Sequence, residues 1–301
     1  MITLILALLI SAANAAILPP GFILREFQAT KANVLTMKIE DKVAYSNITF
    51  NETVWFKNPD KIKIYVEKDG EGLIFVRNGQ KCSVMTSGSR VISQELCKKN
   101  TGKNFYYDVL TPYGNFISYL KSVGIKTNYE ETEIQKIKND YVRPENVFIL
   151  REDKDPIYVI GITDDIYKSA LSDAKNDKKN ISDKLLYNIK EKAPQVWIQT
   201  TTNYPVRIYG KTPDGDKTIE ILLDSYRVDG NDFPFPWSIK LSGEGANAVS
   251  YGVSSAETNT GVIDEQVFNI SGYAAKFPKT IDEAALTGNK KVLFNYLKEY
   301  R

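Results

Sequence analysis

The sequence predicts an α+β protein built on one large curved antiparallel sheet, a half-open β-barrel of about ten or eleven strands with helices covering its concave face. Three observations lead there. Short segments alternate strictly between apolar and polar residues, as in "NITFNETVWF", where Ile48, Phe50, Val54 and Phe56 share one face and Asn47, Thr49, Asn51 and Thr53 the other. Turn-forming residues separate these segments at short intervals, as at Asn78-Gly79, Asn203-Tyr204-Pro205 and Pro213-Asp214-Gly215. The strands fall into two blocks, with helical stretches between and after them. A sheet this wide with one apolar face must curl or be covered, and curling around helices gives a half-open barrel.

Residues 22–35, "FILREFQATKANVL", can form a short amphipathic helix. Residues 43–97 then read as a meander. After the strand of Ile48, Phe50, Val54 and Phe56, "KIKIYVE" sets Ile62, Ile64 and Val66 on one face against Lys61, Lys63 and Glu67. "GLIFVRNG" ends in an Asn-Gly turn. Residues 103–142 change to helical and charged stretches, and "NVFILRE" and "PIYVIGIT" return to strand. The Lys/Asp-rich residues 164–192 read as a helical, solvent-covered excursion. The meander resumes at Gln195 and runs through "QVWIQTTTNYPVRIYG", "KTIEILLDSYRV", "DFPFPWSIKLSG" and "AVSYGVSSAETN". At the end, Thr280 and Glu283 have capping-box spacing and Val292, Tyr296, Leu297 and Tyr300 form a helical stripe, so residues 280–300 read as a helix pair. Trp55, Trp197 and Trp237 suit core packing, or a rim where the indole N–H reaches water.

The apolar run Ile2–Ala16 is shorter than the roughly 20 residues a bilayer span requires. The Ala-x-Ala pattern at Ala13–Ala15 follows it, and Pro19 and Pro20 halt any helix. A signal peptide cut after Ala15 is the reading, leaving residues 16–301 as a single exported domain. The periplasm is the favoured compartment, with an extracellular location as the alternative. Sequons at Asn47, Asn51, Asn180 and Asn269 bear on that alternative only in a eukaryotic source. Export and an even count of cysteines point to a disulfide between Cys82 and Cys97. A hairpin turning at Ser89-Arg90 sets these two residues opposite one another.

There is no histidine, and Lys and Arg total 39 against 37 Asp and Glu. The first fact removes every nucleophile that relies on a histidine base and every zinc site that uses imidazole. The second gives no electrostatic case for nucleic acid. No phosphate-binding glycine loop and no nucleophile elbow appears. The acid pairs Asp164/Asp165 and Asp214/Asp216 sit where a helix start and a hairpin turn are predicted. No catalytic residue, metal or cofactor is therefore assigned, and the protein is read as a non-enzyme and a monomer.

The segment from Val54 to Met85, "VWFKNPDKIKIYV…RNGQKCSVM", is similar to the lipoprotein-sorting proteins of Gram-negative bacteria, the LolA-like carriers. That resemblance rests on Val54-Trp55-Phe56-Lys57-Asn58-Pro59-Asp60, then a strand, then Asn78-Gly79-Gln80. "VWIQTTTNYPVRIYG", Val196 to Gly210, looks like the strand-turn-Pro-strand of the family's second half. The resemblance implies a half-barrel whose apolar concavity holds the acyl chains of lipids or lipoproteins, serving a membrane-bound donor or acceptor protein. Residues Ile48, Phe50, Val54, Phe56, Ile62, Ile64 and Val66 are the candidate lipid-binding positions. The alternative is an extracytoplasmic partner-binding or envelope-stress sensor module of the same fold with no transport role.

Overall fold

The computed structural model describes residues 20–31, 33–57, 60–79, 81–93, 105, 109–111, 114–127, 146–149, 156–162, 164–175, 181–212, 217–244, 247–261 and 263–300. Two meanders meet in one sheet. The first comprises β1 (Thr36–Tyr45), β2 (Ile48–Lys57), β3 (Lys61–Lys68), β4 (Glu71–Asn78), β5 (Lys81–Thr86) and β6 (Ser89–Ile92). The second comprises β7 (Asn146–Ile149), β8 (Ile157–Ile160), β9 (Gln195–Gln199), β10 (Pro205–Lys211), β11 (Thr218–Val228), β12 (Pro234–Gly243) and β13 (Val249–Thr258). A short β14 (Lys279–Asp282) follows. Among the described residues fourteen strands run in the order β14-β6-β5-β4-β3-β2-β1-β13-β12-β11-β10-β9-β8-β7, an open curved α+β sheet wider than the ten or eleven strands expected. Every pairing is antiparallel except β14 with β6, which is parallel.

Period-2 patterning decides which face each residue takes. Val43 pairs with Phe50, Ile39 with Val54 and Met37 with Phe56, all on one face. This inner face joins one continuous core that draws on strands of both meanders. Among the described residues it is roofed by α1 (Pro20–Ala29), α2 (Phe116–Ser122) and the C-terminal helix Gly288–Tyr300. Whether Pro19 and Pro20 end a preceding helix lies outside the described residues, but Pro20 itself is helical. It opens α1, at a position where its missing N–H has no helical acceptor to satisfy.

A second, smaller core lies on the outer face. The residues 164–192 predicted to be covered by solvent form α3 (Asp164–Lys175) and α4 (Ile181–Ile189). Ala170, Ala174, Leu185, Leu186 and Ile189 bury themselves against Ile157 and Val159 of β8. Strand β8 is therefore enclosed on both sides, with Tyr158 and Ile160 in the inner core. That explains its unbroken apolar run.

The C-terminal segment wraps the first meander on three sides. A 3-10 turn (Glu265–Phe268) and α5 (Ile270–Lys276) lie against β3, β4 and β5. Lys57 and Lys61, on the outer phase of their strands, clamp Glu265 at 2.8 and 2.5 Å. Strand β14 then extends the β6 edge, and α6 (Gly288–Tyr300) enters the inner face over β3 and β4. The predicted helix pair at 280–300 is thus a strand, a 3-10 turn and one helix. Asp282, not Thr280, caps, accepting from the Ala284 N–H at 2.8 Å.

The β5–β6 hairpin also differs from expectation. It turns at Ser87-Gly88, both with positive φ, and pairs Thr86 with Ser89 and Val84 with Val91. This register does not set Cys82 opposite Cys97. No cysteine is free among the described residues, and Cys97 lies outside them. Much of the 103–142 excursion, the Asp214/Asp216 turn and the proposed signal peptide lie outside them too. No helix among the described residues is long and apolar enough to cross a membrane.

Candidate functional site

The candidate lipid-binding positions do come together. Phe50, Val54, Phe56, Ile62, Ile64 and Val66 form a contiguous patch on the inner face, and Ile48 packs at its edge. All but Ile48 are fully buried, part of the core that α6 completes. Ile48 lines a cavity of about 650 Å³ at the β1–β2 turn, together with Tyr45, Asn47 and Asn247.

A polar island interrupts this apolar floor. Asp41 on β1 and Glu52 on β2 share the inner phase of their strands and stand directly opposite each other. They are 4% and 1% exposed. Tyr296 of α6 donates its hydroxyl to the Glu52 carboxylate, 3.0 Å from Oε1 and 2.9 Å from Oε2. Its ring lies 5.0 Å from Phe50 and 5.5 Å from Tyr45. One turn on, Tyr300 donates to the Asn247 carbonyl, while Tyr45 donates to Glu299 at 2.9 Å. Burial, and then the neighbouring Glu299 carboxylate, push the Tyr45 hydroxyl up to about 12. Helix α6 is therefore held by directional bonds as well as apolar contact, which fixes its register on the floor. Sequence reasoning missed Asp41 and Glu52. The available signal was an acid at the apolar phase of two neighbouring strands, in "MKIEDKVAY" and "ITFNETVWF".

On the outer face, beside the second core, lies a groove of about 1170 Å³ between β8–β10 and the far half of β11. Strand pairing creates it. The β10–β11 ladder ends at Arg207 with Leu222, and the following residues of β11 leave β10. Ser225, with φ of 56°, falls out of the β11–β12 ladder, which resumes at Tyr226 in the same register. Arg207 stands at the closed end, 3% exposed, its guanidinium over the Trp197 ring at 4.7 Å. Its Nε donates to Glu220 at 2.7 Å and its Nη1 to the Lys190 carbonyl at the end of α4. This guanidinium is a structural rivet between sheet and helix. At the open end, Tyr226 donates to the Pro205 carbonyl at 2.7 Å, bridging the parted strands by side chain where the backbone no longer does.

Asp165 is exposed at the start of α3. Among the described residues no group of three or more Cys, Asp or Glu side chains clusters closely enough to hold a metal ion.

Sheet and roof together define a class, the open α+β half-barrel with an apolar inner face. Solved structures similar to this chain include a LolA superfamily protein from Nitrosomonas europaea, 12% identical with a TM-score of 0.42, covering 84% of this chain and 99% of that one. A domain described as an outer membrane lipoprotein-sorting protein, from Vibrio parahaemolyticus, is 10% identical with a TM-score of 0.40, covering 83% of this chain and 96% of that one. A DUF1329 family protein from Desulfovibrio piger is 9% identical with a TM-score of 0.42, covering 84% and 99%. No protein-family model matches the sequence, and no curated protein matches it.

Proposed function

We propose that the chain is an exported, non-catalytic carrier that holds acyl chains of lipids or lipid-modified proteins against the inner face of its half-barrel. One observation carries this reading. The inner face is an apolar surface broken by the Asp41–Glu52 pair, and among the described residues it is roofed by separate helices of 10, 7 and 13 residues, not by a second sheet. A roof of separate pieces can part from the floor without breaking a single strand ladder. Acyl chains would then replace helix side chains against Phe50, Val54, Phe56, Ile62, Ile64 and Val66, with Ile48 at the rim. Each buried methylene contributes on the order of 0.8 kcal/mol before ordering costs. The Val54–Met85 motif agrees with this use.

The test measures binding and stability together. A fluorescent fatty acid is titrated into wild type, Phe50→Asp and Ile64→Asp, and each protein is melted. Saturable binding by wild type, lost in both variants while they remain folded at the assay temperature, supports the carrier. If wild type binds nothing and both variants melt far lower, the patch is ordinary core. Cleavage after Ala15 and a Cys82–Cys97 bond belong to the same proposal. Intact mass of secreted protein, with and without reductant, checks both, and a mass that keeps the first fifteen residues or does not shift by two protons on reduction removes the corresponding part.

A further inference from the structure

Several residues of the outer groove also belong to the inner core. Leu223 lines the groove and is buried in that core, and Tyr204 and Tyr226 line the groove while packing against it. Their rings lie 4.9 Å apart. Tyr204 in turn meets Phe27 of α1 at 6.4 Å, and Phe27 meets Phe116 of α2 at 5.0 Å. An aromatic file therefore runs from the outer groove, through the sheet where β10 and β11 part, to the underside of the roof. No backbone pairing joins the two strands beyond Arg207 and Leu222.

We propose that the β10–β11 seam is a lateral portal through which a single acyl chain passes from the outer groove to the inner face, with Tyr204 and Tyr226 as its gate. The inference rests on the carrier reading and names the route into that site. Leu222 and Val228, 39% and 53% exposed, form an apolar rim on the outer side. The chain enters tail first and leaves its head at Gln199, Thr202 and Ser225, which line the outer part of the groove. The head carries no net negative charge. Among the described residues Arg207 is the one cation lining the groove; its charge is paired with Glu220 at 2.7 Å, its Nη2 is buried without a partner at the closed end, and Asp224 is exposed at the rim. A carboxylate head at the outer part of the groove would meet Asp224, and no exposed cation among the described lining residues would offset it. An ester- or amide-linked head is held by the hydroxyl and amide groups and carries no charge for Asp224 to repel.

The probe is a monoacylglycerol brominated on the chain carbons nearest the head, because bromine quenches an indole it touches and Trp197 lines the groove. Wild type should show saturable quenching that disappears in Trp197→Phe. Leu222→Asp and Val228→Asp should weaken binding at least tenfold, with melting unchanged because both residues are already exposed. Tyr226→Phe, which frees the Pro205 carbonyl, should speed association several-fold while the equilibrium constant moves little. The matching free fatty acid should bind at least tenfold more weakly than the monoacylglycerol. If the monoacylglycerol binds but quenching persists in Trp197→Phe and the rim variants bind like wild type, the chain enters elsewhere, and the portal fails while the carrier stands. If no amphiphile binds to wild type, both fall. Equal affinity for the fatty acid overturns the neutral head. Should either aspartate variant melt early, Leu222→Gln and Val228→Thr settle the rim.

Discussion

The two meanders share one topology, each strand pairing with its sequence neighbour, yet they are finished in opposite ways. Strands β1–β6 are covered outside by Phe268 and α5, along the edge by β14 and inside by α6, all from one stretch of chain. Strands β8–β13 are covered outside over β8–β10 by α3 and α4, and then a seam between β10 and β11 is left open. The same sheet thus holds a wrapped half, in which motion breaks several contacts at once, and a half in which a side chain substitutes for the ladder. Motion that opens the outer groove should concentrate in the second.

The largest perturbation should come from the wrapped half. Tyr296→Ala removes a buried ring and its hydroxyl bond to Glu52, and should lower unfolding free energy by about 3–5 kcal/mol in a urea titration. A loss under about 1 kcal/mol would mean that α6 is not the anchor described. Arg207→Leu tests the rivet between α4 and the sheet. It leaves Glu220 and the Lys190 carbonyl without their donor, and should cost about 1.5–3 kcal/mol. Tyr226→Phe removes one neutral bond and should cost about 0.5–1.5 kcal/mol. Its signature is local: hydrogen exchange at Asp224–Val228 should accelerate while β3 and β4 keep wild-type protection. Uniform acceleration across both meanders would erase the contrast between them.

The smallest effect is a pH dependence of the wrap. Hydrogen bonds from Lys57, then from Lys61, hold the Glu265 carboxyl at about 2, below its ordinary 4.5. A depressed carboxylate stabilises the folded state above its unfolded pKa and loses that contribution as pH falls from about 4.5 toward 2. Acidification across that window should therefore raise exchange in residues 263–277, and Glu265→Gln should flatten the response. The pair is exposed, so added salt should weaken it as well.

How far the sequence could be read follows from the range of each signal. Alternation in "ITFNETVWF" and "KIKIYVE" is a property of single strands, and the inner face it predicted is the one observed. Glu52 was hidden in the same alternation because only apolar positions define the phase. The pairing that sets it against Asp41 requires two strands in register. In α3 and α4, Ala170, Ala174, Leu185, Leu186 and Ile189 have helical spacing, but abundant Lys and Asp between them mask the buried stripe. "TIDE", Thr280 to Glu283, carries a capping-box spacing that belongs to helices, while the β6 edge that Lys279–Asp282 fills lies far away in sequence. The outer groove had no local signal at all. It exists because a ladder stops at Arg207 and Leu222, and where a ladder stops is a fact about two segments together.

The junction of the two meanders carries a further consequence, for the order of assembly. Strand β1 pairs with β13, Met37 against Thr258, whereas within each meander partners are near in sequence. Apart from the α3–α4 insertion between β8 and β9, each meander can gather by short loops. Zipping β1 to β13 must close a loop holding most of the chain, whose entropy grows only with the logarithm of its length but which must be met before any bond rewards it. The centre of the finished sheet is thus expected to be its last part to form. Refolding should show two preassembled half-sheets that later become one, with exchange protection at β1 and β13 appearing after that at β3–β4 and β11–β12.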